Sequence, residues 1–185
     1  KFSRSNLSSG PDTAAIAATQ QTVFSPVELN QLISETILLV EHSLKTAHIQ
    51  TETHLEPDLA TISGHVGKLQ QVLLNLILNA RDAMPRGGRL RLTTWTDADS
   101  VHIEVRDTGV GIAPENLSRI YDPFFTTKGT GKVAGRDPAT GTGLGPAVTY
   151  GIVQEHAGVI HVESKPGVGT RFELQFPALR KPVHA

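Results

Sequence analysis

Leu69-Gln70-Gln71-Val72-Leu73-Leu74-Asn75-Leu76-Ile77-Leu78-Asn79-Ala80-Arg81-Asp82-Ala83 is the stretch on which the reading of the fold turns. Val66, Leu69, Val72, Leu73, Leu76, Ile77, Ala80 and Ala83 recur at helical spacing, which predicts an amphipathic helix from about Val66 to Met84. Pro85-Arg86-Gly87-Gly88 ends it. Gln71, Asn75, Asn79 and Asp82 fall at i, i+4, i+8 and i+11 and form a polar stripe along the same helix. Such a stripe is either the solvent face of the helix or a ridge turned toward a ligand. It carries amides where open surface favours Lys and Glu, and an amide carbonyl is a neutral oxygen of the kind hard cations accept.

Working outward, Leu29, Leu32, Ile33, Thr36, Ile37, Val40 and Leu44 predict an earlier helix running to about Thr46. Ser25-Pro26-Val27-Glu28 has the pattern of its start, with Ser25 as cap, Pro26 in the first turn and Glu28 completing a capping box. Ile49–Leu55 reads as a polar strand, Pro57-Asp58 as a turn and Thr61-Ile62 as a short strand. Arg89–Thr96 and Val101–Asp107 read as antiparallel strands joined near Asp97-Ala98-Asp99. A short helix is expected within 113–120, a helix from about Pro146 to His156, and a final strand pair, Val159–Ser164 and Thr170–Phe176, joined by Lys165-Pro166-Gly167. Between them, residues 126–145 hold six glycines in a long loop, a length that inside a compact domain marks a functional lid or disorder. The expected class is α+β: a two-layer sandwich with a mixed, mostly antiparallel sheet, helices on one face and a long glycine-rich lid. Residues 1–21 read as a linker or the end of a preceding helix, 22–178 as the domain, and 179–185 as a tail.

Two further segments carry chemistry. Asp107 ends a strand whose core face is Val101, Ile103 and Val105, and parity puts its carboxylate on that buried face. A buried carboxylate needs partners. It would accept well from an exocyclic amine such as that of adenine, and the glycines of Thr108-Gly109-Val110-Gly111 would let a ligand approach the backbone. The plain alternative is a strand end followed by a turn. Gly141-Thr142-Gly143-Leu144-Gly145 leads directly into a helix, so backbone N–H groups and the helix dipole converge where phosphate oxygens fit; the alternative is a flexible loop. It matches neither a Walker pattern nor a dinucleotide fingerprint. Tyr121-Asp122-Pro123-Phe124-Phe125 holds two of the chain's six phenylalanines and can staple the lid. Lys128, Lys132 and Arg136 within it are phosphate partners or solvated loop charge.

Composition removes other classes. Lys plus Arg is 17 and Asp plus Glu 18, a net charge of −1, which argues against a general nucleic-acid or membrane-surface binder. There is no cysteine, so disulfides and thiolate metal sites are excluded, and a reducing cytosol is permitted. The longest apolar run, Val72–Ala80, is too short and too interrupted to span a bilayer. No secretory leader is evident. The eight histidines form no ligand pattern, and no Gly-x-Ser-x-Gly elbow supports acyl transfer. The chain begins at a lysine and reads as part of something longer.

Taken in order, these segments resemble the catalytic, ATP-binding domain of bacterial two-component sensor histidine kinases, which shares its nucleotide fold with DNA gyrase, mismatch-repair MutL proteins and a large heat-shock chaperone. Leu69–Ala83 looks like the N box, Asp107–Ile112 the first glycine box, Tyr121–Lys128 the F box, and Gly141–Gly145 and Gly167–Thr170 the second and third glycine boxes. The resemblance spans about residues 22–178. It implies that ATP and Mg2+ are the cofactors, with Asn79 and Asn75 at the magnesium and Asp82 among the nucleotide-binding residues. It implies Asp107 at the adenine amine, Gly111 against the base, Gly109 and Ile112 among the nucleotide-binding residues, and Thr170 supporting Asp107 and a water at the base. Lys128 and the backbone of Gly141, Thr142, Gly143, Leu144 and Gly145 would hold phosphates, Thr126 would be among the nucleotide-binding residues, and Phe124 and Phe125 would anchor the lid. Asn75 and Lys128 are the candidate catalytic residues. Hydrolytic relatives carry a glutamate where Asn75 stands, and an amide cannot take a proton from water, so phosphoryl transfer to a protein nucleophile is favoured over hydrolysis.

The resemblance further implies a phosphoacceptor histidine on a helical dimerisation hairpin of the same protein, since no histidine here has that context, and Lys1–Arg4 looks like the hairpin's last turn. It also implies a response-regulator receiver domain as partner, a homodimeric full-length protein, a cytoplasmic location for the domain and a possible membrane anchor elsewhere. An isolated domain of this kind would bind ATP without autophosphorylating. Two departures stand out: Pro146, which lacks an N–H where the family has an aliphatic residue, and a longer lid. A serine kinase of the anti-sigma type and a non-catalytic nucleotide-binding module are the alternative readings.

Overall fold

The computed structural model describes residues 23–120 and 145–179. In chain order the elements are β1 (Ser25–Val27), α1 (Leu29–Thr46), β2 (Ile49–Leu55), β3 (Ile62–Gly64), α2 (Val66–Asp82) and β4 (Gly88–Asp97). They continue with β5 (Ser100–Asp107), α3 (Pro114–Leu117), α4 (Gly145–Glu155), β6 (Val159–Lys165) and β7 (Gly169–Pro177). Five strands form one sheet in the order β2-β4-β5-β7-β6. β2 and β4 run parallel, and the other neighbours are antiparallel. A parallel pair needs a crossover, and the chain from β2 to β4 supplies it through β3 and α2. The architecture is the expected α+β sandwich.

The helical layer lies on one face of the sheet because the apolar positions of both layers are in phase. Leu90, Leu92 and Thr94 of β4, and Val101, Ile103 and Val105 of β5, are buried at alternate positions, the period-2 signature of a half-buried sheet. Against them pack Leu29, Leu32, Ile33, Val40 and Leu44 of α1, and Leu69, Val72, Leu73, Leu76, Ile77 and Ala80 of α2. α2 is the central helix, with α1 on one side and α4 on the other. Truncating a fully buried residue here, such as Ile77 or Leu73, costs about 2–5 kcal/mol.

Two local readings are corrected. Ser25-Pro26-Val27 starts no helix: it is a strand paired antiparallel to Ile62–Gly64, forming a second, two-stranded sheet. Helix α1 begins at Leu29, and Glu28 stands at its N-cap without a side-chain bond. Proline tolerates the edge of a two-stranded sheet as well as it does a first helical turn, and the long-range pairing decides. Val66 leaves the apolar stripe, 47% exposed at the first position of α2, where no turn precedes it to bury it.

α4 is fastened to α2 at its far end by two histidines. His156 Nδ1 lies 2.7 Å from the Ile152 carbonyl, and its Nε2 lies 3.0 Å from the His65 backbone nitrogen. A carbonyl only accepts and a backbone N–H only donates, so His156 carries its proton on Nδ1 and accepts on Nε2. The His65 ring in turn caps α2 by accepting from Lys68 N at 3.2 Å. These bonds fix the position of α4 along α2.

Candidate functional site

β5 delivers Asp107 to the helix side of the sheet, 5% exposed, as the alternation of Val101, Ile103 and Val105 requires. Its Oδ1 accepts from the Gly109 backbone at 2.8 Å. Burial pushes the carboxyl above its ordinary value, and backbone donors at Gly109 and Thr170 offset part of that. Among the described residues no cation pairs with it. A buried carboxylate held only by backbone N–H groups retains acceptor capacity and lacks a compensating charge, an arrangement that favours a ligand donor.

The loop after Asp107 is packed onto the end of α2. Val110 N donates to the Ala83 carbonyl at 2.9 Å, and Ala83 N donates to the Asn79 carbonyl at 3.0 Å. Asp107 is therefore only a few bonded contacts from the helical turn that bears Asn79. One turn further back, Asn75 meets α4: its Nδ2 donates to Thr149 Oγ1 at 3.3 Å and to the Gly145 carbonyl at 3.4 Å. From Asn75 to Ala83, α2 runs two turns, about 12 Å at the usual rise. The second half of α2 thus links the Asp107 loop to the start of α4, with Asn79 between them. Asn75 and Asn79 are half-buried, while Gln71 and Asp82 are exposed. Asp82 is engaged by its neighbour Arg81, whose Nη2 lies 2.7 Å away.

The glycines of this region answer to the chain's own backbone. A Cβ on Gly109 would collide with the Ala83 carbonyl, and one on Gly111 with the Lys165 carbonyl; Gly111 is also at φ +72°. They allow the Asp107 loop to lie between α2 and the β6–β7 turn, where Gly167 N donates to the Val110 carbonyl at 2.8 Å. Ile112 is half-buried, and its N–H donates to Ser164 Oγ at 2.8 Å. Ser164 also bonds the Gly169 carbonyl at 3.0 Å and Thr170 Oγ1 at 2.8 Å. Thr170 is buried and stands opposite Asp107 in the β5–β7 register. The sequence-predicted residues Asn75, Asn79 and Gly145 thus meet along α2 and α4, Asn79 through its backbone carbonyl, while Asp107, Gly109, Gly111, Ile112 and Thr170 meet between the end of α2 and the β6–β7 hairpin. Phe124, Phe125, Thr126, Lys128, Gly141, Thr142, Gly143 and Leu144 lie outside the described residues.

Sequence reasoning missed Ser164 and Thr149. A signal existed for Ser164, because the hairpin Val159–Phe176 pairs it with Thr170. For Thr149 the signal was its place four residues after Gly145, one helical turn away on the same side. Among the described residues no group of three or more His, Cys, Asp or Glu is placed to hold a metal. A cation at α2 would therefore rely on amide oxygens and on the ligand's own oxygens.

The family model described as histidine kinase-, DNA gyrase B-, and HSP90-like ATPase matches residues 64–180. Sporulation kinase A of Bacillus subtilis (strain 168) is 40% identical over 158 residues, which cover 85% of this chain and 24% of that protein. Full-length ShkA in complex with AMPPNP superposes with a TM-score of 0.73 at 27% identity, covering 91% of this chain and 34% of that one. Histidine kinase ThkA in complex with the response regulator protein TrrA superposes with a TM-score of 0.68 at 26% identity, covering 84% and 42%. The chain spans about a quarter of the length of the curated relative it matches. It belongs to the histidine kinase-, DNA gyrase B- and HSP90-like ATPase family, and within it has the form of the ATP-binding catalytic domain of a sensor histidine kinase.

Proposed function

We propose that the chain binds Mg·ATP and donates the γ-phosphoryl group to a histidine on a helical hairpin outside these residues, as the catalytic domain of a two-component sensor histidine kinase. The observation that carries this reading is the Asp107 carboxylate, buried with no cation among the described residues, beside the end of a helix whose amide ridge meets α4. Asp107 accepts from the adenine amine. Thr170 and Ser164 hold the floor beside it. The N-terminal turn of α4 at Gly145 faces phosphate, with the Pro146 nitrogen unable to contribute a donor. Phe124 and Phe125 anchor the lid, and Thr126, Lys128 and the Gly141–Gly145 backbone hold phosphate oxygens.

Asn79, with Asn75 beside it, presents the neutral oxygens that suit a magnesium ion. When bound, that ion neutralises charge on the transferring phosphates. Phosphoryl transfer depends mainly on such positioning and charge neutralisation. The acceptor explains the amide at position 75. A neutral imidazole nitrogen attacks phosphorus through its own lone pair, so no general base is required. The bond from the β,γ-bridging oxygen to the γ-phosphorus breaks, a P–N bond forms, ADP leaves, and the proton on the other ring nitrogen is released to solvent. The next acceptor is an aspartate of a response-regulator receiver domain, in line with the ThkA–TrrA complex. Among the described residues no helix is long and apolar enough to cross a membrane. The reading places the domain on the cytoplasmic side, where ATP is found, within a homodimer whose other segments include any membrane anchor.

The test has two arms. In calorimetric titrations with AMPPNP, Asn79→Ala should lose the magnesium-dependent part of the affinity, about tenfold; full magnesium dependence in the variant would remove Asn79 from the metal. γ-Labelled ATP mixed with this chain and a histidine hairpin supplied in trans should label the hairpin, and binding without transfer would overturn the kinase reading.

A further inference from the structure

We infer that Thr149 is a positioning residue that orients the Asn75 amide toward the metal, an inference that rests on the nucleotide reading above. An asparagine amide has one acceptor face and one donor face, similar in shape and opposite in charge. Only Oδ1 can serve a cation; Nδ2 turned toward it would repel it. Nothing in the asparagine itself chooses between the two, so the choice falls to whatever binds Nδ2.

Here Nδ2 is met by two acceptors on successive turns of α4, Thr149 Oγ1 at 3.3 Å and the Gly145 carbonyl at 3.4 Å. The carbonyl can only accept, and this sets the sign of the amide. Thr149 lies one turn on and adds a second acceptor on the same side. It is 1% exposed, so water does not compete for it. With Nδ2 held against α4, Oδ1 turns away from that helix, and among the described residues no donor is bonded to it. The His156–His65 junction at the other end of α4 holds the two helices in the register that brings Thr149 to Asn75. The helix that follows the phosphate-binding segment therefore also sets the metal-facing oxygen of α2, and the two halves of the triphosphate site are aligned through one buried hydroxyl.

Thr149→Val preserves shape and removes the acceptor. In titrations of this chain with AMPPNP, the variant should bind about fivefold more weakly in magnesium, the size of one neutral hydrogen bond, and as the parent does in EDTA. Thr149→Ser should restore the magnesium-dependent affinity. In an Asn75→Ala background, Thr149→Val should have no further effect on magnesium dependence. A purely packing role predicts instead an equal loss with and without magnesium, in both backgrounds, and that result overturns the inference, as does unchanged magnesium dependence in Thr149→Val. If the valine variant melts early, Thr149→Ala compared with Thr149→Ser decides the same question. Should Asn79→Ala also keep full magnesium dependence, it is the metal reading that fails rather than the role of Thr149.

Discussion

Two carboxylates on opposite faces of the same sheet show how differently this fold treats buried charge. Glu173 of β7 lies on the face away from the helices, its side chain 17% exposed. Its Oε1 lies 3.0 Å from His102 Nδ1, and its Oε2 is paired with Arg171, which also reaches Glu104. Burial works to raise its pKa, but the His102 hydrogen bond and the Arg171 guanidinium outweigh it and hold the carboxyl below its ordinary value. Asp107 of β5, on the helix side, has backbone donors and, among the described residues, no cation, and burial holds it above its ordinary value. One carboxylate is finished by its own protein. The other is left with capacity to accept and a cost that a bound donor would lower. A charge completed internally contributes to stability, whereas one left incomplete marks a place for a ligand.

Asp107→Asn breaks the comparison most severely. Nucleotide affinity should fall by about 10- to 100-fold, the range for a hydrogen bond to a charged group, while the stability of the ligand-free domain stays level or rises by less than about 1 kcal/mol, because a desolvated charge has been removed. Calorimetry and urea melts on one preparation measure both; a variant that loses stability along with binding would show that Asp107 is mainly structural. Glu173→Gln should do the reverse, costing about 1–2 kcal/mol of stability with nucleotide affinity unchanged.

The same pair sharpens with pH. The lowered Glu173 contributes stability that is present above its unfolded pKa and lost as pH falls through its folded pKa. The raised Asp107 has the opposite sign: its destabilising contribution is full above its folded pKa and is relieved as the carboxyl protonates. Melts should therefore show a steeper acid loss in Asp107→Asn than in the parent above about pH 4, where the raised group protonates, and a shallower one in Glu173→Gln below about pH 4, where the lowered group protonates. Parallel curves would remove the electrostatic distinction between the two sites.

Much of this was legible before any coordinates. The burial of Asp107 follows from three alternating apolar residues ahead of it, because strand parity is a local property. The polar stripe of α2 follows from helical periodicity for the same reason. What could not be read was decided by partners far along the chain. Ser-Pro-x-Glu fits a helix start and an edge strand equally well, and only pairing with Ile62–Gly64 separates them. Gly109 and Gly111 announced a close approach, yet the sequence could not say that the approaching groups are the Ala83 and Lys165 carbonyls. Thr149 reaches Asn75 across 74 residues of chain, and no short-range pattern encodes that meeting.

The central claim is that Asp107 reads the amino group of adenine, and the most direct measurement compares ATP with inosine triphosphate, in which that amine is replaced by an oxygen. Titrated with magnesium into this chain, ATP should bind at least about tenfold more tightly, since two facing acceptors replace a donor–acceptor pair, and the preference should vanish in Asp107→Asn. Equal affinities for the two nucleotides in the parent chain would contradict the account.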